Sequence, residues 1–177
     1  MRPHSFLLLG TLCTGAIVAG CGGEGGGPTA PPSTTTITLT LDFHPIEVEE
    51  DCDGIEGDGD FKFSVETVRS PTDMAVDVVY DKSVSIGPGG NSEPLGRRSY
   101  TFSGTEYRER TVRFGASEMD RDVFGTVYND SRLSFQSGFL VHFYNNGTWN
   151  TLGDHSITLG SDGCRVRLRW TASANAT

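Results

Sequence analysis

Ile37-Thr38-Leu39-Thr40-Leu41-Asp42-Phe43 reads ITLTLDF, with apolar and polar residues in strict alternation. A period of two puts every apolar side chain on one face of an extended chain, so the stretch predicts a half-buried β-strand. Pro45 then breaks the register, as at a bulge or sheet edge, and Ile46 and Val48 resume it. The same alternation returns at Phe61, Phe63 and Val65, at Met74, Val76, Val78 and Tyr80, and at Val166, Leu168 and Trp170. Tyr100-Thr101-Phe102 and Thr111 to Phe114 are further strand candidates. Phe139 to Tyr144 meets Thr148-Trp149 across Asn145-Asn146-Gly147, and Asn-Gly tolerates the positive φ of a tight hairpin. Ser70-Pro71-Thr72-Asp73 reads as a turn and Gly87-Pro88-Gly89-Gly90-Asn91 as a loop. No stretch carries a 3.6-residue apolar period. Many short strands with frequent turns predict an all-β chain, an antiparallel β-sandwich over residues 36–173.

Upstream of that domain the chain changes character. Arg2 precedes a mostly apolar run from Phe6 to Ala19, the pattern of a secretory signal peptide over residues 1–20. The run is too short to span a bilayer, which takes about 20 residues. Val18-Ala19-Gly20-Cys21 resembles the lipobox of bacterial lipoproteins. That resemblance implies cleavage before Cys21, attachment of diacylglycerol to its sulfur, and acylation of the new amine. Two or more acyl chains anchor stably where one binds marginally. Gly22 after the cysteine implies sorting to the outer membrane of the cell envelope, at its periplasmic face or the cell surface. Residues 21–35, rich in Gly, Pro, Ser and Thr, then form a flexible tether.

With Cys13 in the signal peptide and Cys21 lipidated, Cys52 and Cys164 remain, an even pair in an oxidising compartment. The expectation is a disulfide between them; two free buried thiols are the alternative. The whole chain has 14 basic and 23 acidic residues, a formal charge of −9, which argues against nucleic acid as a partner.

The densest acid lies in Glu49 to Phe61, EEDCDGIEGDGDF, with seven carboxylates and three glycines. Calcium takes six to eight oxygen ligands, and glycines allow a loop to bend carboxylates toward one point. The spacing fits no one-loop site: an EF-hand begun at Asp51 would need Gly at Glu56 and Glu at Lys62. A second acidic group, Glu118-Met119-Asp120-Arg121-Asp122 with Asp130 beyond it, follows the strand at Thr111.

With these two loops the chain is similar to a C2 domain, an eight-stranded sandwich that holds calcium between two loops at one end. Gly59-Asp60-Phe61-Lys62-Phe63 stands where the family's first loop closes, and Glu118-Met119-Asp120 with Asp130 where its acid-x-Asp loop lies. Trp149-Asn150-Thr151-Leu152 and Gly163 to Trp170 resemble the family's final strands. The resemblance implies Asp53, Asp60, Glu118, Asp120 and Asp130 as calcium ligands, with Asp58 and Asp122 as substitutes, and a structural role for the ion. Two solvated polar loops without metal are the alternative.

No histidine pair has metal-ligand spacing and no Gly-x-Ser-x-Gly elbow appears, so no enzyme is expected. Arg165, Arg167 and Arg169 share one face of a strand. They read either as a solvated face paired across strands with acids or as a surface for an anionic envelope partner. The expected function is a lipid-anchored, non-catalytic binding module, stabilised by calcium at its acidic loops, whose ligand is an envelope glycan, lipid or protein. A purely structural envelope lipoprotein without metal is the alternative, and a hydrolase acting through a pair of carboxylates ranks behind both.

Overall fold

The computed structural model describes residues 35–50, 59–69, 75–103, 108–121, 127–129, 133, 136–145, 148–161 and 163–177. The strands are β1 (Thr36–Phe43), β2 (Glu47–Glu50), β3 (Gly59–Arg69), β4 (Val76–Ile86), β5 (Gly96–Ser103) and β6 (Arg108–Arg121). They continue with β7 (Val127–Asn129), β8 (Gln136–Asn145), β9 (Thr148–Trp149), β10 (Gly153–Ser161) and β11 (Cys164–Ala176). No helix occurs among the described residues. All of them belong to one compact unit, Thr34–Thr177.

Two antiparallel sheets pack face to face. One runs β10-β11-β1-β5, with β2 also on β11; the other runs β4-β3-β6-β8-β9, with β7 on β6. The alternation read from ITLTLDF is what builds the first sheet: Ile37, Leu39, Leu41 and Phe43 are buried, and the intervening residues are half-buried. Phe61, Phe63 and Val65 of β3, Val112 and Phe114 of β6, and Val166, Leu168 and Trp170 of β11 complete the core from both sheets. The rings meet at 5.4 Å for Phe61–Phe63, 6.1 Å for Phe63–Phe114 and 6.2 Å for Phe43–Trp170. Each such side chain contributes about 1.5–3 kcal/mol on full burial.

Pro45 marks the break between β1 and β2, which follow the same partner, β11. Beyond the break the outer side of the chain leaves β5 and is held by the loop after β4. Ile46 N donates to Ser92 Oγ at 2.9 Å, Ser92 N to Ile46 O at 2.8 Å, and Val48 N to Gly90 O at 3.0 Å. The glycines are required here: a Cβ on Gly90 would sit 2.6 Å from Ile86 and 2.8 Å from Gly87 O.

The fourth alternation does not hold over its whole length. Val76 and Val78 of β4 face solvent, whereas Val79 and Tyr80 are buried. A bulge is the reason: Tyr80 pairs with Val65 and Val78 with Glu66, so Val79 is an extra residue and the face changes across it. Strand β10 has no counterpart in the sequence reading. Strand β11 continues beyond Ser173 to Ala176, pairing with β1 through Ile37.

Candidate functional site

The sandwich has two chemically different ends. At one end β2 stops at Glu50, β3 starts at Gly59 and β6 stops at Arg121. Phe61 is in register with Glu118, so the two acidic loops leave from neighbouring strands at the same end. The hairpin joining β10 to β11 is there too, with Ser161 opposite Cys164.

Of the residues expected to bind metal, Asp53, Asp58, Asp122 and Asp130 lie outside the described residues, as do Cys21 and Cys52. Asp120 is on β6, its backbone paired with Tyr128 of β7. Asp60 and Glu118 come close in register but not in direction. Glu118 is fully buried with its register partner Phe61, while Asp60, one residue earlier, is exposed on the opposite face. These two carboxylates therefore do not converge on one point. Among the described residues no group of three or more His, Cys, Asp or Glu is arranged to hold a metal. Cys164 is fully buried and its sulfur is not free.

Three other carboxylates at this end are committed to arginines. Arg165 binds Glu49 at 2.9 Å and also Glu50, Arg167 binds Glu49, and Arg169 reaches Glu47 at 3.1 Å. The arginine row of β11 is thus matched by the acids of β2, its antiparallel neighbour, as expected of a paired sheet face. A further clamp runs from Gly163 N to Glu50 Oε2 at 2.9 Å.

The opposite end carries features that sequence reasoning missed. His142 of β8 is fully buried between the sheets. Trp170 Nε1–H donates to His142 Nε2 at 3.0 Å, and His142 Nδ1–H donates to Thr151 O at 2.7 Å. His155 Nε2–H donates to the same carbonyl at 2.8 Å. The two bonds fix the neutral Nδ1–H tautomer of His142. Burial pushes its pKa down to about 4; the Thr151 bond opposes this, and the neighbouring His155 adds to it. Thr151 has a φ of 53°, so the two imidazoles hold a turn residue in the left-handed region. The signal for His142 was its place in the inward register of β8 with Leu140 and Tyr144, read there as an ordinary strand position.

A polar connection also crosses between the sheets. Tyr100 of β5 donates to Asp77 Oδ2 of β4 at 2.8 Å, and the Arg110 guanidinium of β6 lies 3.8 Å above the Tyr100 ring. Burial pushes the Tyr100 phenol up to about 12. Nearby, Tyr144 and Trp149 meet at 5.6 Å, Phe102 and Trp149 at 5.7 Å, beside a pocket of about 280 Å³. On the outer face of the first sheet a polar groove of about 410 Å³ is lined by Thr40, Asp42, His44, Arg97, Thr171 and Ser173, among others.

No protein-family model matches the chain, and no curated protein matches it.

Proposed function

We propose that the chain is a bacterial envelope lipoprotein, anchored by acylated Cys21, that displays a non-catalytic C2-like binding module. What supports this reading is Val18-Ala19-Gly20-Cys21 at the end of an apolar run, ahead of a domain built of two packed antiparallel sheets. The chain enters β1 at Thr36, at the end where Thr36 and Thr177 exchange two 2.8 Å backbone bonds. The acidic loops leave from the other end, across the 11 residues of β3, roughly 35 Å of extended chain. The long strands β10-β11-β1-β5 and β4-β3-β6-β8 support the eight-strand plan that the C2 resemblance implies.

The anchor is tested by mass spectrometry of the protein purified from a bacterial host. Acylated Cys21 at the new N-terminus is the expected product, and Cys21→Ser leaves the protein in the soluble fraction. Cleavage elsewhere, or membrane association that survives Cys21→Ser, would remove the reading.

Calcium at the acidic end is a second reading, favoured by the adjacent departure of the two loops from β3 and β6. Ligands would come mainly from Asp53, Asp58, Asp120, Asp122 and Asp130, since Asp60 and Glu118 point apart. Melting with calcium and with chelator tests it. A rise of several degrees in calcium is expected, and an unchanged melt at millimolar calcium leaves the purely structural alternative.

A further inference from the structure

On the outer face of the first sheet, β1, β11 and β5 align polar side chains in rows. The odd residues of β1 go to the core, so Thr40 and Asp42 face outward. Thr40 is in register with Ser173 of β11 and Ser99 of β5, and Asp42 with Thr171 and Arg97. Along these rows runs the groove of about 410 Å³, and every described residue that lines it is polar.

Neighbouring groups hold the groove's side chains in place. Arg97 Nε and Nη2 both donate to Asp42 Oδ2, at 3.2 and 2.5 Å. Thr171 Oγ1 donates to Asp154 Oδ1 at 2.7 Å, and the Thr40 and Ser99 hydroxyls meet at 3.2 Å. Asp42 Oδ1 is left over as an acceptor and Arg97 Nη1 as a donor. The Ser173 hydroxyl and the Asn175 amide, also in the lining, have no protein partner among the described residues.

Charge and hydrogen-bonding capacity select the occupant. The one carboxylate and the one guanidinium of the lining cancel, on a chain whose formal charge is −9. An anion would meet Asp42 and the acidic field of the whole molecule. A cation would find Asp42 already neutralised by Arg97. An apolar partner would strip water from these groups and return no hydrogen bonds. A hydroxyl both donates and accepts, so a run of hydroxyls satisfies carboxylate oxygen, guanidinium, amide and serine together. The exposed imidazole of His44, also in the lining, adds a planar surface.

We infer that this groove binds a neutral glycan, a short stretch of an uncharged polysaccharide, through Asp42, Arg97, Ser173 and Asn175. The inference rests on the binding-module reading and names its ligand class; it involves neither calcium nor the acidic end.

The test uses the full chain carrying Cys21→Ser, labelled with ¹⁵N for NMR. It is titrated with cellohexaose, laminarihexaose, maltohexaose and mannohexaose, and separately with a galacturonic acid hexamer and inorganic phosphate. At least one neutral sugar is expected to move the amide signals of Thr40, Asp42, Thr171 and Ser173 at millimolar concentration. Arg97→Ala is expected to weaken that binding about tenfold, with Asn175→Ala acting in the same direction. The Arg97–Asp42 pair is exposed and such pairs add little stability, so the core signals of Arg97→Ala stay in place. Groove signals that no neutral sugar moves overturn the proposal, and so do signals moved only by the uronate or phosphate. Sugar binding that both variants leave unchanged overturns it as well. Neutral sugars that move only signals elsewhere overturn the groove and leave the binding-module reading standing, while acylation of Cys21 is read separately by mass.

Discussion

At the residue scale, His142 shows how burial turns an ordinary strand position into a chemically tuned one. Protonation would place a charge among Trp170, Thr151 and His155 and would break acceptance of the Trp170 N–H. Its folded pKa, about 4, lies below the ordinary 6.5. The unfolded chain therefore takes up the proton first as pH falls. This contribution to stability is complete above about pH 6.5, declines between 6.5 and 4, and changes no further below that. The melting temperature is expected to fall across that window, and His142→Gln is expected to flatten the decline while lowering the starting value. An NMR titration that placed the His142 transition near 6.5 would contradict this account. Gly160 makes a second residue-scale point. Its φ is 107°, and a Cβ there would lie 2.0 Å from Cys164 O, so the β10–β11 hairpin accepts no side chain at this position.

At the element scale, the bulge in β4 decides which valines belong to the core. Val78 is 53 % exposed and Val79 is 9 % exposed, although they are adjacent. Val78→Lys is expected to change stability by less than about 0.5 kcal/mol, whereas Val79→Asp buries an unpaired charge and costs more than about 3 kcal/mol. Chemical denaturation of the two variants checks this, and equal losses would mean that the bulge is misplaced. The β2–β11 pair is bound partly by charge. Glu49 is largely buried and serves two arginines, so Glu49→Gln is expected to cost about 1–2 kcal/mol, less in high salt. A cost unaffected by salt would point to packing rather than ion pairing. These arginines were legible as a row in the sequence, but their partners were not. The acids lie more than 100 residues away and meet them only through the antiparallel register of β2 on β11. Strand β10 was illegible for a related reason. Its GDHSITLGS has few apolar residues because it is an edge strand, mostly exposed, and it is recruited by pairing with β11.

At the scale of the whole molecule, the charge and the chain entry lie at opposite ends of one sandwich. The proposed Cys52–Cys164 crosslink would join the first acidic loop to the core. Glu50 is in register with Arg165, so Cys52 follows a paired position by two residues and buried Cys164 precedes one. In the chain-entropy model a loop of about 110 residues contributes roughly 4–5 kcal/mol. Cys52→Ser is expected to lower the denaturation midpoint by a corresponding amount, with intact-mass analysis showing loss of two hydrogens in the parent only. Two free thiols in the parent would remove the crosslink.

The sequence by itself determined the strand-forming segments and which face of most of them is apolar. That information is local, since it is the two-residue period of an extended chain, and ITLTLDF carries it without reference to anything else. It also supplied the acidic loops and the arginine row as compositions. Only the tertiary structure decided what each of these faces. It paired the strands that bound the acidic segments while turning Asp60 and Glu118 to opposite faces, matched the arginines with Glu47, Glu49 and Glu50, and closed an aromatic pocket beside Ile37. Each of those outcomes depends on register between strands far apart in sequence. One residue of slip would send every side chain to the other face, and the register is chosen by the whole core at once rather than by any segment alone.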